Sequence, residues 1–272
     1  MGNHNHRLVL IYFILPAVIL LGWILLSLLA PPNLDIIIPF LFNSPNSVLE
    51  AFRTLLFGYG TFFQKFDLFR HLFFSLVKVM FGYSIAMVIG IPLGILIGWK
   101  ENAARLFYPI VEIIRPIPPI AWIPFAILWF TATRPSVFPG IYYAGFIIFI
   151  GALFPILLNT TAGVRELRKV YIEAAKILGA NDRQLLTKVI IPGALPSIIT
   201  GMRVGMGVGW MCLVGAEIVN AQYGLGYITV LGMRLYDLGL ITAGMIMIGF
   251  VGICIDWCFR YVEGHFLPWS GK

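Results

Sequence analysis

Along the 272 residues, apolar stretches of bilayer-crossing length alternate with short polar joints. A helix needs about 20 apolar residues to cross the hydrocarbon core. Six runs reach that length, at about 8–29, 72–99, 106–130, 137–158, 195–219 and 239–259. Helices are the expected spanning form, because each satisfies its own backbone hydrogen bonds in lipid. The dyad alternation of a membrane β-barrel is absent. The first run follows Arg7 and exceeds the roughly 7–15 residues of a signal-peptide core, so it reads as a retained anchor. The pattern therefore predicts an all-α membrane protein with six transmembrane helices. In the mixed stretch 30–71, opened by Pro31 and Pro32, SPNSVLEAFRTLLF (44–57) reads as an amphipathic interfacial helix capped by Ser44 or Ser47.

Composition agrees: 60% of residues are hydrophobic, 11% are charged, and mean hydropathy is +0.91. A soluble domain carries roughly 25% charged residues. The formal charge of +7 comes from scattered Lys and Arg that form no stripe, which argues against a nucleic-acid partner. With the N-terminus in the cytoplasm, the inner segments hold eleven basic residues: Arg7, Lys100, Arg105, Arg165, Arg168, Lys169, Lys176, Arg183, Lys188, Arg260 and Lys272. The outer segments hold five: Arg53, Lys65, Arg70, Arg134 and Arg234. That asymmetry follows the positive-inside rule. Cys212, Cys254 and Cys258 lie in apolar runs and read as packing residues, and no ligand cluster points to a metal; His4 and His6 read as a polar terminus.

Two runs carry glycine at every fourth position, Gly90-Gly94-Gly98 and Gly201-Gly205-Gly209, a smooth stripe against which another backbone can close. The stripes serve either packing within one chain or an interface or pathway. Gly207 and Gly215 further favour a central place for the fifth run. RPIPPIAWIP (115–124) packs four prolines into ten residues, so the third run is expected to be broken and sheltered from lipid. Lys78, Arg115, Arg203 and Glu217 fall in or near the runs, where a central charge costs about 2.5–3.5 kcal/mol on insertion scales. Each needs a partner, a wet cavity or the interface. Arg203 either lines a pathway for an anion or pairs structurally. Arg115 either does the same or pairs with Glu112. Glu217 is placed to bond to the segment 220–227. Trp122, Trp129 and Trp210 either shape a pore or pack.

The most charged segment, EAAKILGANDRQLLTKVIIPGALP (173–196), predicts a short helix to Gly179, a left-handed turn, and a second helix capped by Asn181 or Asp182 and stopped by Pro192. Ala174 and Ala175 give its first helix a low-relief face suited to a groove in another protein. Glu173-Ala174-Ala175, three residues, Gly179, nine residues, then Val189-x-Ile191-Pro192 resembles the EAA loop of ABC-transporter importer permeases. Val189 and Ile191 stand where that pattern prefers Ile and Leu. IRPIPPIAWIPFAILWF, ILLNTTAGVRE, IIPGALPSIITGMRVGMGVGWMCLVGAEIV and GLGYI are similar to the nitrate, sulfonate, taurine and bicarbonate group. TATRPSVFPGIYYAG (131–145) departs from it, being longer and richer in proline.

The resemblance implies a MetI-like core of five spans plus one N-terminal span. Residues 1–71 then form the N-terminal helix and external segment. Residues 72–272 form the permease domain, with a coupling loop at 164–194. It also implies a multi-pass cell-membrane protein acting with a second permease copy, two cytoplasmic ATPase subunits and an extracytoplasmic solute-binding protein. Glu173, Ala174, Ala175, Gly179, Asn181, Asp182 and Pro192 would meet the ATPase. Arg115, Trp122, Arg203, Gly205, Gly209, Trp210 and Glu217 are candidates for the pathway of a small oxyanion or sulfonate. The chain contains no G-x-x-x-x-G-K-[ST], so ATP and magnesium are expected on the partner and no cofactor on this chain. The alternative, a gradient-driven carrier or channel, would show inverted repeats and intramembrane acidic ligands, neither of which is prominent. No hydrolase or zinc-protease motif supports an enzyme.

Overall fold

The computed structural model describes residues 45–58, 67–133, 140–167, 169–220 and 222–266, with Val18, Leu21, Gly22 and Leu25. The rest of the expected first span, and the candidate cap Ser44, lie outside them. Among the described residues there is no strand. The helices are α1 (Pro45–Phe57), α2 (Asp67–Trp99), α3 (Glu101–Ile114), α4 (Ile123–Thr133), α5 (Ile141–Arg165), α6 (Lys169–Ile177), α7 (Asp182–Leu185), α8 (Ile191–Asn220), α9 (Leu225–Leu235) and α10 (Leu238–Phe266). Four stretches are long and apolar enough to cross a bilayer: Asp67–Trp99, Ile141–Arg165, Asp182–Leu235 and Leu238–His265. The pair Glu101–Ile114 and Pro119–Phe130 makes a fifth if taken as one span.

The described residues group into two compact units. One takes residues up to Arg70 with Ile228–Met247, the other His71–Tyr227 with Ile248 onward. In the first, α1 buries Val48, Ala51 and Leu55, a stripe at helical spacing, and exposes Leu49 and Phe57. Ser47 is the third residue of α1 and not its cap. At the start of α10 the Leu240 N–H donates to Asp237 Oδ1 at 3.0 Å.

The second unit is organised on α5. Its neighbours close on it through the two glycine stripes. Cβ atoms added at Gly90, Gly94 and Gly98 would meet Ile156, Leu157 O with Thr160, and Val164. Those added at Gly201, Gly205 and Gly209 would meet Asn159, Ile156 and Ile148. Numbers rise together for α2 and fall for α8, so α2 runs parallel to α5 and α8 antiparallel. The approach is close enough for Thr161 Oγ1 to donate to Gly94 O at 3.1 Å. Both stripes therefore serve packing within one chain. The fifth apolar run, α8, also has the central place its glycines suggest, since it packs on α5 and reaches α2 through Glu217 and α10 through Arg203.

One proline break falls as expected and another does not. The third run is bent by 83° between α3 and a 3₁₀ turn at Pro119–Trp122. Pro116, Pro118 and Pro119 remove three consecutive or near-consecutive donors there. Pro192, by contrast, does not stop the helix. A π-helical turn at Leu186–Ile190 joins α7 to α8, and the Ile191 N–H donates to Leu186 O, five residues back. The wider turn changes hydrogen-bond register just before Pro192. The missing donor then falls in the first turn of α8, where proline is tolerated.

Candidate functional site

The charged segment folds into an elbow with both ends chemically closed. Gly179 takes φ +80° at the end of α6. Its N–H donates to Lys176 O at 3.0 Å, and the Ala180 N–H donates to Ala175 O at 3.0 Å. This is the Schellman pairing, which satisfies the last carbonyls of a helix and favours glycine at its left-handed position. Two residues on, Asn181 Oδ1 accepts from the Gln184 N–H at 2.9 Å, and Gln184 Oε1 accepts from the Asn181 N–H at 3.0 Å. Asn181, rather than Asp182, is the cap, within a reciprocal capping box.

The elbow is rooted and also exposed. Leu185 and Ile190 are buried with Val164, Ala194 and Ile198, and Ala175 packs against that cluster. Glu173, Ala174, Gly179, Asn181, Asp182 and Pro192 are exposed. So are Val170, Tyr171, Ile177 and Leu178, the last two by 85% and 86%. Sequence reasoning missed these apolar residues as surface, because their helical spacing also suits a buried face.

At the other end of α8 lies a buried polar cluster. Lys78 Nζ and Glu217 Oε1 are 3.0 Å apart, with both side chains essentially inaccessible. Ser75 Oγ donates to Glu217 Oε1 at 2.8 Å, and Lys78 also donates to Tyr223 O. Three successive backbone N–H groups turn into this cluster: Gly224 to His71 Nδ1, Leu225 to Ser75 Oγ, and Gly226 to Glu217 Oε2, each at 2.9 Å. Gly224 has φ +140°, and any Cβ there would overlap the Glu217 carboxylate. Glu217 does bond to the 220–227 segment. Its cationic partner lies 139 residues earlier, with no local pattern to announce it. Ser75 and His71 were missed for the same reason.

The arginines separate. Arg203 Nε lies 2.7 Å from Asp256 Oδ1 and its Nη1 lies 3.5 Å from Glu263 Oε2. Asp256 also holds Arg260 at 2.8 Å. Arg203 is thus neutralised within the chain. Asp256 and Glu263 were legible only as acidic residues one turn from Arg260. Arg203, Gly207, Trp210, Gly252 and Asp256 line a cavity of about 200 Å³, and the Trp210 Nε1–H donates to Ile248 O at 3.2 Å. Arg115 has no such partner. Among the described residues it forms no ion pair, and the expected pairing with Glu112 is absent. It lines a groove of about 450 Å³ with Pro119, Pro155, Asn159, Val204 and Val208. Trp122 packs edge-on to Phe125 and Phe146, its Nε1 buried without a hydrogen-bond partner among the described residues. Gly205 and Gly209 are buried against α5.

The chain is thus a bundle of apolar helices with a broken span and a closed, exposed elbow between two others, and sequence comparison assigns it to the permeases of the ABC importer class. Residues 90–268 match the family of binding-protein-dependent transport system inner membrane components, and the chain belongs to that family. It is 35% identical to the taurine transport system permease protein TauC of Escherichia coli, over 88% of this chain and 84% of that one. It is 33% identical to the nitrate import permease protein NrtB of Synechocystis sp., over 74% and 70%. Its fold matches a chain of the MetNI methionine ABC transporter in an inward-facing conformation. That match has a TM-score of 0.64 and 22% identity, covering 73% of this chain and 95% of the other.

Proposed function

We propose that this importer permease carries a small sulfonate or oxyanion, and that energy enters through the 164–194 elbow. The observation that carries the second part is the elbow itself. A Schellman turn and a capping box fix its bend. Leu185 and Ile190 root it in the bundle, while Ile177 and Leu178 stand in solvent. A rigid exposed apolar tip suits a groove in another subunit and transmits displacement to α8 through the continuous π turn. Glu173, Ala174, Gly179, Asn181 and Asp182 form the contact face, and Pro192 marks where the lever enters the bundle.

The elbow lies on the cytoplasmic side, the side richer in Lys and Arg. Two ATPase subunits bind ATP and magnesium there, two permease copies enclose the pathway, and an extracytoplasmic binding protein delivers the solute. The substrate class follows the taurine and nitrate relatives. The test is to co-purify the chain with its genomic neighbours and measure ATP hydrolysis in proteoliposomes with the binding protein. Taurine, nitrate and bicarbonate are offered in turn. Stimulation by one of them supports the proposal; uptake that persists without an ATPase subunit overturns it.

A further inference from the structure

We infer that the groove at Arg115 is a water-filled station for the anion within the membrane, with Arg115 as its counter-charge and Asn159 as a neutral donor beside it. This deepens the anion-importer reading above and rests on it. The first premise is depth. The groove is lined by residues 150–159 of α5 and by Val204 and Val208 of α8. The midpoint of α5 falls at Leu153, and that of α8 between Gly205 and Met206. The groove therefore lies halfway along two spanning helices, remote from both interfaces.

The second premise is charge. Three cations lie along the spans of this unit in positions that need compensation, and two already have it: Lys78 from Glu217, and Arg203 from Asp256 and Glu263. Arg115 has no carboxylate partner among the described residues and is exposed to the groove. An unpaired guanidinium at mid-depth is tolerated only beside water or a counter-ion. Its planar array of donors matches an oxyanion or a sulfonate. Asn159 donates one amide proton to Pro155 O at 2.8 Å and has a second to offer. The remaining lining is apolar, from Ile150, Phe154 and Leu158, which limits how tightly an anion is held and so permits its release.

Arg115 sits at the end of α3, with Ile117 and Pro119 of the break lining the same groove. It follows the last turn of α3, its N–H still donating to Val111 O at 2.9 Å, and the backbone then turns by 83°. The proline break ends α3 at the groove.

The test needs no knowledge of the substrate. In the full-length chain with Cys212, Cys254 and Cys258 replaced by alanine, Val204→Cys and Val208→Cys each place a thiol on the groove. In membranes, the thiol is reacted with a methanethiosulfonate carrying either a sulfonate or a trimethylammonium group. Relative to their rates with a free thiol, the anionic reagent should be favoured, and Arg115→Gln should lower the ratio of the two rates by about tenfold, the size of one nearby charge at intermediate dielectric. Arg115→Lys should keep the preference. A ratio of anionic to cationic rates in the parent chain no higher than that of the same reagents with a free thiol, or a ratio unchanged by Arg115→Gln, overturns the inference, as would be found if a carboxylate of a second copy neutralised Arg115. Uptake is measured alongside. If the labelling preference holds but no ATP-driven uptake of taurine, nitrate or bicarbonate occurs, the substrate reading fails and the groove stands. If uptake occurs and Arg115→Gln leaves its KM and rate unchanged, the station fails and the importer reading stands.

Discussion

Lys78 of α2 and Glu217 of α8 face each other at 3.0 Å with neither side chain accessible to solvent. Removing one partner leaves the other charge buried and unpaired, which costs about 3–5 kcal/mol, whereas replacing both with apolar groups is often neutral. We expect Glu217→Leu to lower the detergent-solubilised melting temperature sharply, and Lys78→Met with Glu217→Leu to recover much of the loss. A double variant as unstable as the single would show that the Gly226 N–H and the Ser75 hydroxyl, which lose their acceptor with Glu217, set the cost rather than the ion pair.

Gly179 has no neighbour within 4 Å of an added Cβ, so its requirement is one of backbone angle alone. Gly179→Ala should weaken the turn by about 1–2 kcal/mol, the cost of a side chain in the left-handed region. Gly179→Asn should cost less, because asparagine visits that region more readily. Gly179→Pro cannot take a positive φ, and should abolish substrate-stimulated ATP hydrolysis while membrane insertion, followed by fractionation, is retained. Full stimulation in the proline variant would refute the lever.

Ile177 and Leu178 touch little in this chain. Ile177→Asp with Leu178→Asp should leave the melting temperature within about 0.5 kcal/mol equivalent of the parent, as for surface changes elsewhere. Co-purification of the ATPase subunit should be lost. Retained co-purification with normal coupling would place the contact elsewhere on the elbow.

The Arg203 network is partly open to solvent, so its ion pairs are screened and each is worth about 1 kcal/mol or less. Arg203→Gln should therefore destabilise the chain only mildly. Because Asp256 and Glu263 neutralise this arginine, uptake should fall far less than for Arg115→Gln. A larger uptake defect at Arg203 than at Arg115, with assembly intact, would reverse the assignment.

Glycines on the stripes and off them should behave in opposite ways. A Cβ at Gly94 would come within 2.8 Å of Leu157 O, a backbone atom that has no room to yield. Gly94→Val should cost at least about 1–3 kcal/mol through overpacking. Gly207 faces open space, and Gly207→Ala should be neutral or stabilising by up to about 1 kcal/mol, since alanine is the better helix former. Thermal unfolding of the two variants side by side checks this.

What the sequence determined by itself was local or cumulative. Apolar run length located the spanning stretches found among the described residues, because bilayer thickness fixes helix length. The spacing from Glu173 to Pro192 set the elbow, since its glycine turn and its cap each close within six residues. The proline density at 115–124 set the break. Tertiary structure decided which charges meet. Glu217 finds Lys78 139 residues away, and Arg203 finds Asp256 across 53. No periodicity encodes such pairings, because they depend on helices lying side by side. The same holds for Pro192, whose missing donor is absorbed by a π turn, and for α5, central because two glycine stripes from distant parts of the chain converge on it. Arg115 is distinguished only by what does not reach it, and that is a property of the packed bundle alone.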